Sequence, residues 1–495
     1  MVHVMAPERG WNTLAAILVT MILFASKAHA QAPDTLRVSL GDCVERALAV
    51  GEEVRQAEAL RGMAHARYLQ ARSDALPQLR FHTLYTYQPE SIYETRSGTP
   101  FTADTTASLE NRVRAIEDAL PGSGFSALSQ IFSSSAFASQ NAWDVGLSLE
   151  QKVFQGGSIW GSVAAARHAL HSTELHRDDT RAEIVYQVRL AYLNLLFAER
   201  TVRIFELGLE ESETHLARVR FRHQNGAVSE FDLLQSEVER DNQVPFLTRA
   251  REESELAAVE LRRLVNLPDL PLRPRSRFLD VTSLPALAQL DTTGLTEAAL
   301  QNQGIRGLEE AFKARGHAVT VAAATRYPEV SLFATLSQQS FPGDRFFPDG
   351  GEWLRQETLG LRVNWDVFDG FLTKGKIREA KAEETRAANA LAEARERVIQ
   401  MTTQGRLELR RSADELFARA RTVELSRRAL DLANLRYREG ASSLLEVSDA
   451  RIAWQISESS EARARRDYFA ALALLERVSG RPLFSDVASV EEESR

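Results

Sequence analysis

An eight-residue turn is written twice in this chain: Arg222-His223-Gln224-Asn225-Gly226-Ala227-Val228-Ser229 and, 214 residues later, Arg436-Tyr437-Arg438-Glu439-Gly440-Ala441-Ser442-Ser443. The same offset carries Gly146-Leu147-Ser148-Leu149 onto Gly360-Leu361-Arg362-Val363, Phe154-Gln155-Gly156 onto Phe368-Asp369-Gly370, and Leu261 and Pro268 onto Leu475 and Pro482. Upstream, Pro77 matches Pro328 and Glu58 matches Glu309 at an offset of 251, so the first copy holds 251 − 214 = 37 extra residues between Pro77 and Gly146. A tandem repeat of this size means one supersecondary plan built twice, and whatever the plan does it does with pseudo-symmetry.

Arg9, the apolar run from Leu14 to Ala25, and Ala28-His29-Ala30 before Gln31 form the pattern of a secretory signal over residues 1–30. The mature chain is expected to begin at Gln31. No cysteine follows that point directly, so no lipid anchor is expected, and the single cysteine, Cys43, reads as a small apolar residue on a helix. The formal charge of −8 becomes −9 once Glu8, Arg9 and Lys27, which sum to +1, are removed. An acidic mature chain argues against nucleic acid as a partner. Beyond the signal there is no run of about 20 apolar residues, so a membrane-crossing mature chain would have to cross as a closed sheet.

Each copy holds two alternating segments. Trp143, Val145, Leu147, Leu149 and Val153 share one parity and Asp144, Ser148, Glu150 and Lys152 the other; Leu359, Leu361, Val363, Trp365 and Val367 repeat this against Gly360, Arg362, Asn364 and Asp366. Leu79, Phe81, Tyr85 and Tyr87, and Val330, Leu332, Ala334 and Leu336, form weaker stripes. The spacing predicts strands over 79–88, 143–154, 330–341 and 357–368, near the roughly 9–11 residues of a tilted transmembrane strand. Half-buried hairpins of a soluble domain fit the same alternation. Membrane barrels need about eight strands, so four per chain would require two or three copies. The paired strands are joined by a long Ser-rich connection over 89–142, with a short helix expected from Leu109 to Ala119, and by a brief one over 342–356.

Long helices follow each strand pair. Val188, Ala191, Leu195, Ala198, Val202, Phe205, Leu209, Leu216 and Val219 step as a coiled-coil seam. The second copy has Ala387, Leu391, Ala394, Val398 and Met401, an expected phase break near Gly405, then Ala413, Leu416, Ala420 and Val423. A continuous helix of this length would run roughly 100 Å. Hairpins are expected over 159–266 and 374–479, with Pro245 breaking the first return helix. The organisation is then a first repeat over 31–266, a linker over 267–291, a second repeat over 292–483 and an acidic tail over 484–495. Gly156 and Gly370 mark the strand-to-helix junctions.

Signal segment, duplication, two strands and a helical hairpin per copy, and the paired R-[HY]-x-x-G-x-x-S turns together resemble the TolC family of outer-membrane efflux proteins, over essentially the whole mature chain. The resemblance implies a mainly α fold with a membrane β-barrel portion: three protomers forming a trimeric twelve-stranded β-barrel, continued by an α-helical barrel in the periplasm. It also implies an outer-membrane channel of a tripartite efflux or type I secretion system. Its partners would be a homotrimer's other copies, a periplasmic adaptor, an inner-membrane pump and the lipid bilayer.

Glu446 and Asp449, three residues apart, share a helix face near the second tip. A solvated face accounts for them; in a trimer with that face inward they would form stacked carboxylate rings that favour cations. The resemblance implies the second reading, since acidic rings at the tip entrance fall at these positions. It also implies a latch between Asp232 and Tyr437, weakened because Ser442 stands where some relatives carry arginine; Arg436 or Arg438 could substitute. Gly226 and Gly440 suit a helix reversal at positive φ, and the resemblance makes these turns the contacts for the adaptor. His168 and His171, with His176 nearby, have a spacing compatible with metal but read more simply as a solvated face. No GxxxxGK[ST], HExxH or GxSxG is present, so no enzyme activity or cofactor is expected. The rival class is a soluble periplasmic or secreted coiled-coil scaffold, distinguishable by fractionation.

Overall fold

A computed structural model describes residues 36–89, 108–114, 140–268, 271–275, 294–343 and 345–483. The signal segment, most of the long connection between the first two strands, much of the linker and the acidic tail lie outside the described residues. In chain order the elements are β1 (Leu36–Val38), α1 (Leu40–Val50), α2 (Glu52–Ser73), β2 (Gln78–Tyr87), β3 (Asn141–Gln155), α3 (Ser158–Gln224) and α4 (Glu230–Val265). There follow β4 (Leu272–Pro274), α5 (Leu295–Ala299), α6 (Gln303–Ala324), β5 (Glu329–Gly343), β6 (Leu354–Asn364), α7 (Leu372–Arg438) and α8 (Leu444–Ser479). Residues 109–114 are helical; the remainder of the helix expected there lies outside the described residues. No described helix is long and apolar enough to cross a membrane.

The described residues divide into two compact units, one falling within 1–60, 174–307 and 392–495, the other within 61–173 and 308–391. The second unit carries a four-stranded antiparallel sheet in the order β2-β3-β5-β6. Its register sets Leu79, Leu149, Ala334 and Leu359 side by side across all four strands. The two copies therefore meet in the middle of one sheet, through β3 and β5. Two register shifts in that central pair, near Asn141 and near Lys152, are the bulges that bend it.

The first unit is built on helices. It takes α4 and α8, 36 residues each, and the greater part of α3 and α7, 67 residues each. Their core includes Val188, Leu195, Leu261, Leu409, Leu416 and Leu475, with Cys43 and Ala47 of α1 packed into it. Burial pushes the Cys43 thiol up to about 12, so it stays a neutral, inert packing residue. β1 and β4, which the alternation did not reveal, form a short parallel pair between the start of the described chain and the linker.

Two helix expectations are corrected. α4 runs through Pro245 unbroken, with Gln243, Leu247 and Ala250 buried on either side of it; tertiary packing outweighs the one helical hydrogen bond that proline removes. α7 is continuous through Gly405. A Cβ at Gly405 would lie 2.8 Å from Leu475 Cδ2, so the glycine marks close helix packing and not a phase break. On its exposed faces α7 gains i,i+4 support from Glu393–Arg397, Glu415–Arg419 and Glu424–Arg428, worth a few tenths of a kcal/mol each.

Candidate functional site: an amphipathic sheet and two helix tips

One face of the sheet carries exposed apolar side chains from every strand, interrupted near the start of β6 by the Arg355–Glu357 ion pair. Leu79 and Phe81 of β2, Leu147 and Leu149 of β3, Leu332 and Leu336 of β5, and Leu359, Leu361 and Val363 of β6 lie on it, all exposed. The other face presents Arg80 and His82, Asp144, Ser148 and Glu150, Thr335, Ser337 and Gln339, and Gln356, Thr358 and Arg362. Polar groups there satisfy one another: Gln339 donates to Asp144 at 3.1 Å, and Lys152 reaches Asp74 at 2.8 Å. At one end of the sheet, Tyr85, Trp143, Phe346 and Phe347 form an aromatic cluster with ring separations of 4.9–5.6 Å. Beyond the other end, Trp365, Val367, Phe368 and Phe371 are exposed. An apolar belt flanked by aromatics is the surface of a membrane-spanning sheet. Within the described residues β2 and β6 each keep an unpaired edge, which a soluble protein would have to protect.

Both predicted junction glycines are left-handed, Gly156 at φ 59° and Gly370 at φ 63°. At Gly156 the space is also closed, a Cβ there falling 2.5 Å from the Ala324 carbonyl oxygen. The next residue repeats the geometry: Gly157 at φ 91° and its equivalent Phe371 at φ 73°.

The shared turn motif is legible as backbone chemistry. Gly226 (φ 68°) and Gly440 (φ 76°) are the left-handed residues past α3 and α7. Ala227 N–H donates to Arg222 O and Gly226 N–H to His223 O; Ala441 and Gly440 do the same to Arg436 and Tyr437. This is the Schellman pattern, which satisfies carbonyls orphaned at a helix end. The serine three residues on then caps the return helix: Ser229 Oγ accepts from Asp232 N–H, and Ser443 Oγ from Glu446 N–H.

Asp232 and Glu446 therefore occupy the same capping position of the two copies. Asp232 Oδ2 accepts from Ser229 N–H and Oγ in a reciprocal box. Glu446 is bound by Arg436 Nη1 at 2.6 Å and by Ser442 Oγ at 2.8 Å. Arg436 thus supplies an ionic contact inside the protomer. Asp449 is exposed. Tyr437 lies half-buried with Arg222 over its ring at 5.6 Å and His215 at 5.5 Å. Burial raises its phenol pKa, and the Asp232 carboxylate adds to the rise while Arg222 and Arg218 oppose it. Asp232 and Tyr437 are thus in electrostatic reach within one protomer.

The helical seam keeps Leu216 and Val219 of the apolar pattern but shifts to other residues between Val202 and Leu209. Ile204, Gly208, Ser212, His215 and Val219 are the buried line of α3, whereas Val202, Phe205 and Leu209 are half-buried. Arg451 of α8, 3% exposed, is clamped by Glu239 of α4 and reaches Ser212 Oγ at 3.3 Å. Gln455 donates to Gln243 at 3.2 Å through space that Gly208 leaves open. The hint in the sequence was Arg451 itself, standing at helical spacing between Val447 and Trp454. Of the histidines, His168 Nδ1 lies 2.6 Å from Glu310 and its ring stacks on His317. Among the described residues no three His, Cys, Asp or Glu side chains converge as a metal site.

The comparisons match this architecture. The family model for outer membrane efflux protein matches residues 43–267 and 294–481, one stretch for each copy of the repeat. Outer membrane efflux protein BepC of Brucella suis is 22% identical over 68% of this chain and 72% of its own length. Pyoverdine export outer membrane protein OpmQ of Pseudomonas putida is 24% identical over 71% and 73%. The crystal structure of the Campylobacter jejuni CmeC outer membrane channel superimposes with a TM-score of 0.73 at 16% identity, covering 91% of this chain and 88% of that one. With an amphipathic sheet, duplicated long helical hairpins and a family model spanning most of its length, the chain belongs to the outer membrane efflux protein family.

Proposed function

We propose that three copies of this chain join their four-stranded sheets edge to edge into one twelve-stranded barrel, and that the helices continue it as a periplasmic conduit for cargo handed over by an adaptor and an inner-membrane pump. The observation that carries this reading is the exposed apolar row that crosses all four strands between two unpaired edges. Pairing β6 of one copy with β2 of the next satisfies both edges and closes the apolar belt. The chain then serves as an outer-membrane duct, with the driving force for export supplied by the pump. In the same reading, Glu446 and Asp449 line the periplasmic entrance, Asp232 and Tyr437 help hold it shut, and the turns at Gly226 and Gly440 receive the adaptor. The left-handed glycines support this last role, because nothing lies within 4 Å of where a Cβ would be at either.

Fractionation and bilayer recording test the proposal. The expected result is a heat-modifiable trimer in the outer membrane that conducts ions in planar bilayers. A monomer stable without detergent would overturn it in favour of a soluble scaffold. Gly440→Phe is expected to insert normally yet lose adaptor binding, and Glu446→Ala/Asp449→Ala to lose cation selectivity; unchanged selectivity would return both carboxylates to the solvated surface.

A further inference from the structure

On the polar face of the sheet, two glycines are each covered by an aromatic ring from the paired strand. His82 of β2 is directly opposite Gly146 of β3, and Phe333 of β5 directly opposite Gly360 of β6. A Cβ at Gly146 would lie 2.9 Å from His82 Cε1, and one at Gly360 would lie 2.5 Å from Phe333 Cζ. Each ring thus rests on the backbone of its neighbour. The two pairs are equivalent by the repeat, since 333 − 82 = 251 and 360 − 146 = 214, the two offsets that relate the copies. Each ring is also held from a diagonal position on the same face: Asp144 Oδ1 lies 3.4 Å from His82 Nε2, and the Arg362 guanidinium lies 4.9 Å from the centre of the Phe333 ring. Arg362 is itself 3.9 Å from Glu150 of β3, so the clamp on Phe333 reaches across three strands. Both rings are half-buried.

The geometry points to Gly146 and Gly360 as the residues that set the clearance of the barrel interior, by letting His82 and Phe333 lie flat against the wall. This rests on the reading that the polar face lines the conduit. Glycine in a strand weakens it and leaves a gap, and an aromatic neighbour laid across the gap restores packing. Here the arrangement has a second consequence. The two rings of the polar face are turned along the wall and away from the axis, six of them in a trimer, so the passage is wider there than upright rings would leave it. A β-carbon at either glycine would lift the ring toward the axis. At Gly146 the Leu336 carbonyl oxygen and Ser337 also crowd the site, at 2.8 and 2.7 Å, whereas at Gly360 only the Phe333 ring stands in the way. Gly360 is therefore where the ring can be moved without distorting a strand.

The test is polymer exclusion in planar bilayers, with purified full-length protein and polyethylene glycols of graded size added on the barrel side. Gly360→Ala is expected to lower the largest polymer that enters by at least one grade, and Gly360→Ala/Phe333→Ala to restore the wild-type cut-off. Phe333→Ala alone is expected to leave the cut-off unchanged, because a flat ring obstructs nothing. A wild-type cut-off in Gly360→Ala overturns the inference. So does a reduced cut-off in the double variant, or a raised one in Phe333→Ala, which stands as the deciding variant should Gly360→Ala fail to assemble. Absence of any conductance from the wild-type protein would instead remove the conduit reading on which the inference depends.

Discussion

His215 sits where a helical bundle normally carries hydrocarbon. It is 3% exposed, its Nε2 has no hydrogen-bond partner, and burial, followed by the positive charges of Arg451 and Arg218, lowers its pKa from 6.5 to about 4. In the folded bundle the ring is neutral at pH 7, and once exposed it takes up a proton more readily. Its contribution to stability is therefore complete above about pH 6.5 and is lost as pH falls toward 4. The shift corresponds to an upper figure of about 3 kcal/mol. Thermal unfolding in detergent should show the wild type losing stability between pH 7 and pH 4.5, and His215→Gln should flatten that slope; parallel slopes would show that other groups carry it. The neighbouring Arg451–Glu239 pair makes a sharper case. Glu239→Leu strands a buried guanidinium and is expected to cost roughly 3–5 kcal/mol, whereas Glu239→Leu/Arg451→Met should recover most of the loss. Denaturant midpoints of these two variants and of Arg451→Met alone give the coupling, and additive effects would mean that the pair is only incidental.

Among the elements, the strands and helical hairpins were legible because each obeys one period: alternation across Trp143–Val153, three-and-four spacing along Val188–Leu195. The turn motif was legible as a motif, but its chemistry reads differently in three dimensions. Arg, Gly and Ser recur because the glycine ends one helix left-handed and the serine begins the next, so Asp232 and Glu446 have local duties whatever they do at an entrance. Pro245 and Gly405 misled because local propensity is a weak prior against packing. β1 and β4, three residues each, are too short for any period to register. The polar seam through Gly208, Ser212 and His215 was hidden because a search for apolar spacing passes over it. Phe371 was invisible for another reason: its φ of 73° is a property of the junction and not of the residue. Its equivalent in the first copy is Gly157, which adopts that conformation without penalty. Phe371→Gly and Phe371→Ala both lose the ring contact with Phe368 and the Lys374 ammonium, but only alanine keeps the strain. The glycine variant is expected to be the more stable of the two by on the order of 1 kcal/mol, measured by chemical denaturation. Equal stabilities would mean that the junction relaxes around an ordinary side chain.

For the whole molecule, the decisive property is that a single chain presents only part of a membrane surface. Four strands cannot close, and the apolar row they expose is stable only against lipid or against other chains. Thr358 and Leu359 are consecutive on the edge strand β6 and point to opposite faces of the sheet, so they sit at nearly the same depth. An arginine at the lipid-facing position costs roughly 2–4 kcal/mol near the bilayer midplane. Three copies in one barrel raise the total to roughly 6–12 kcal/mol, comparable with the entire stability of a folded domain. An arginine at the neighbouring interior-facing position stays in water and costs little. Leu359→Arg is therefore expected to abolish the heat-modifiable outer-membrane species, while Thr358→Arg should insert as the wild type does and shift only ion selectivity. If both variants inserted equally, the row containing Leu359 would not face lipid, and the barrel would have to be built with the opposite face outward or not at all.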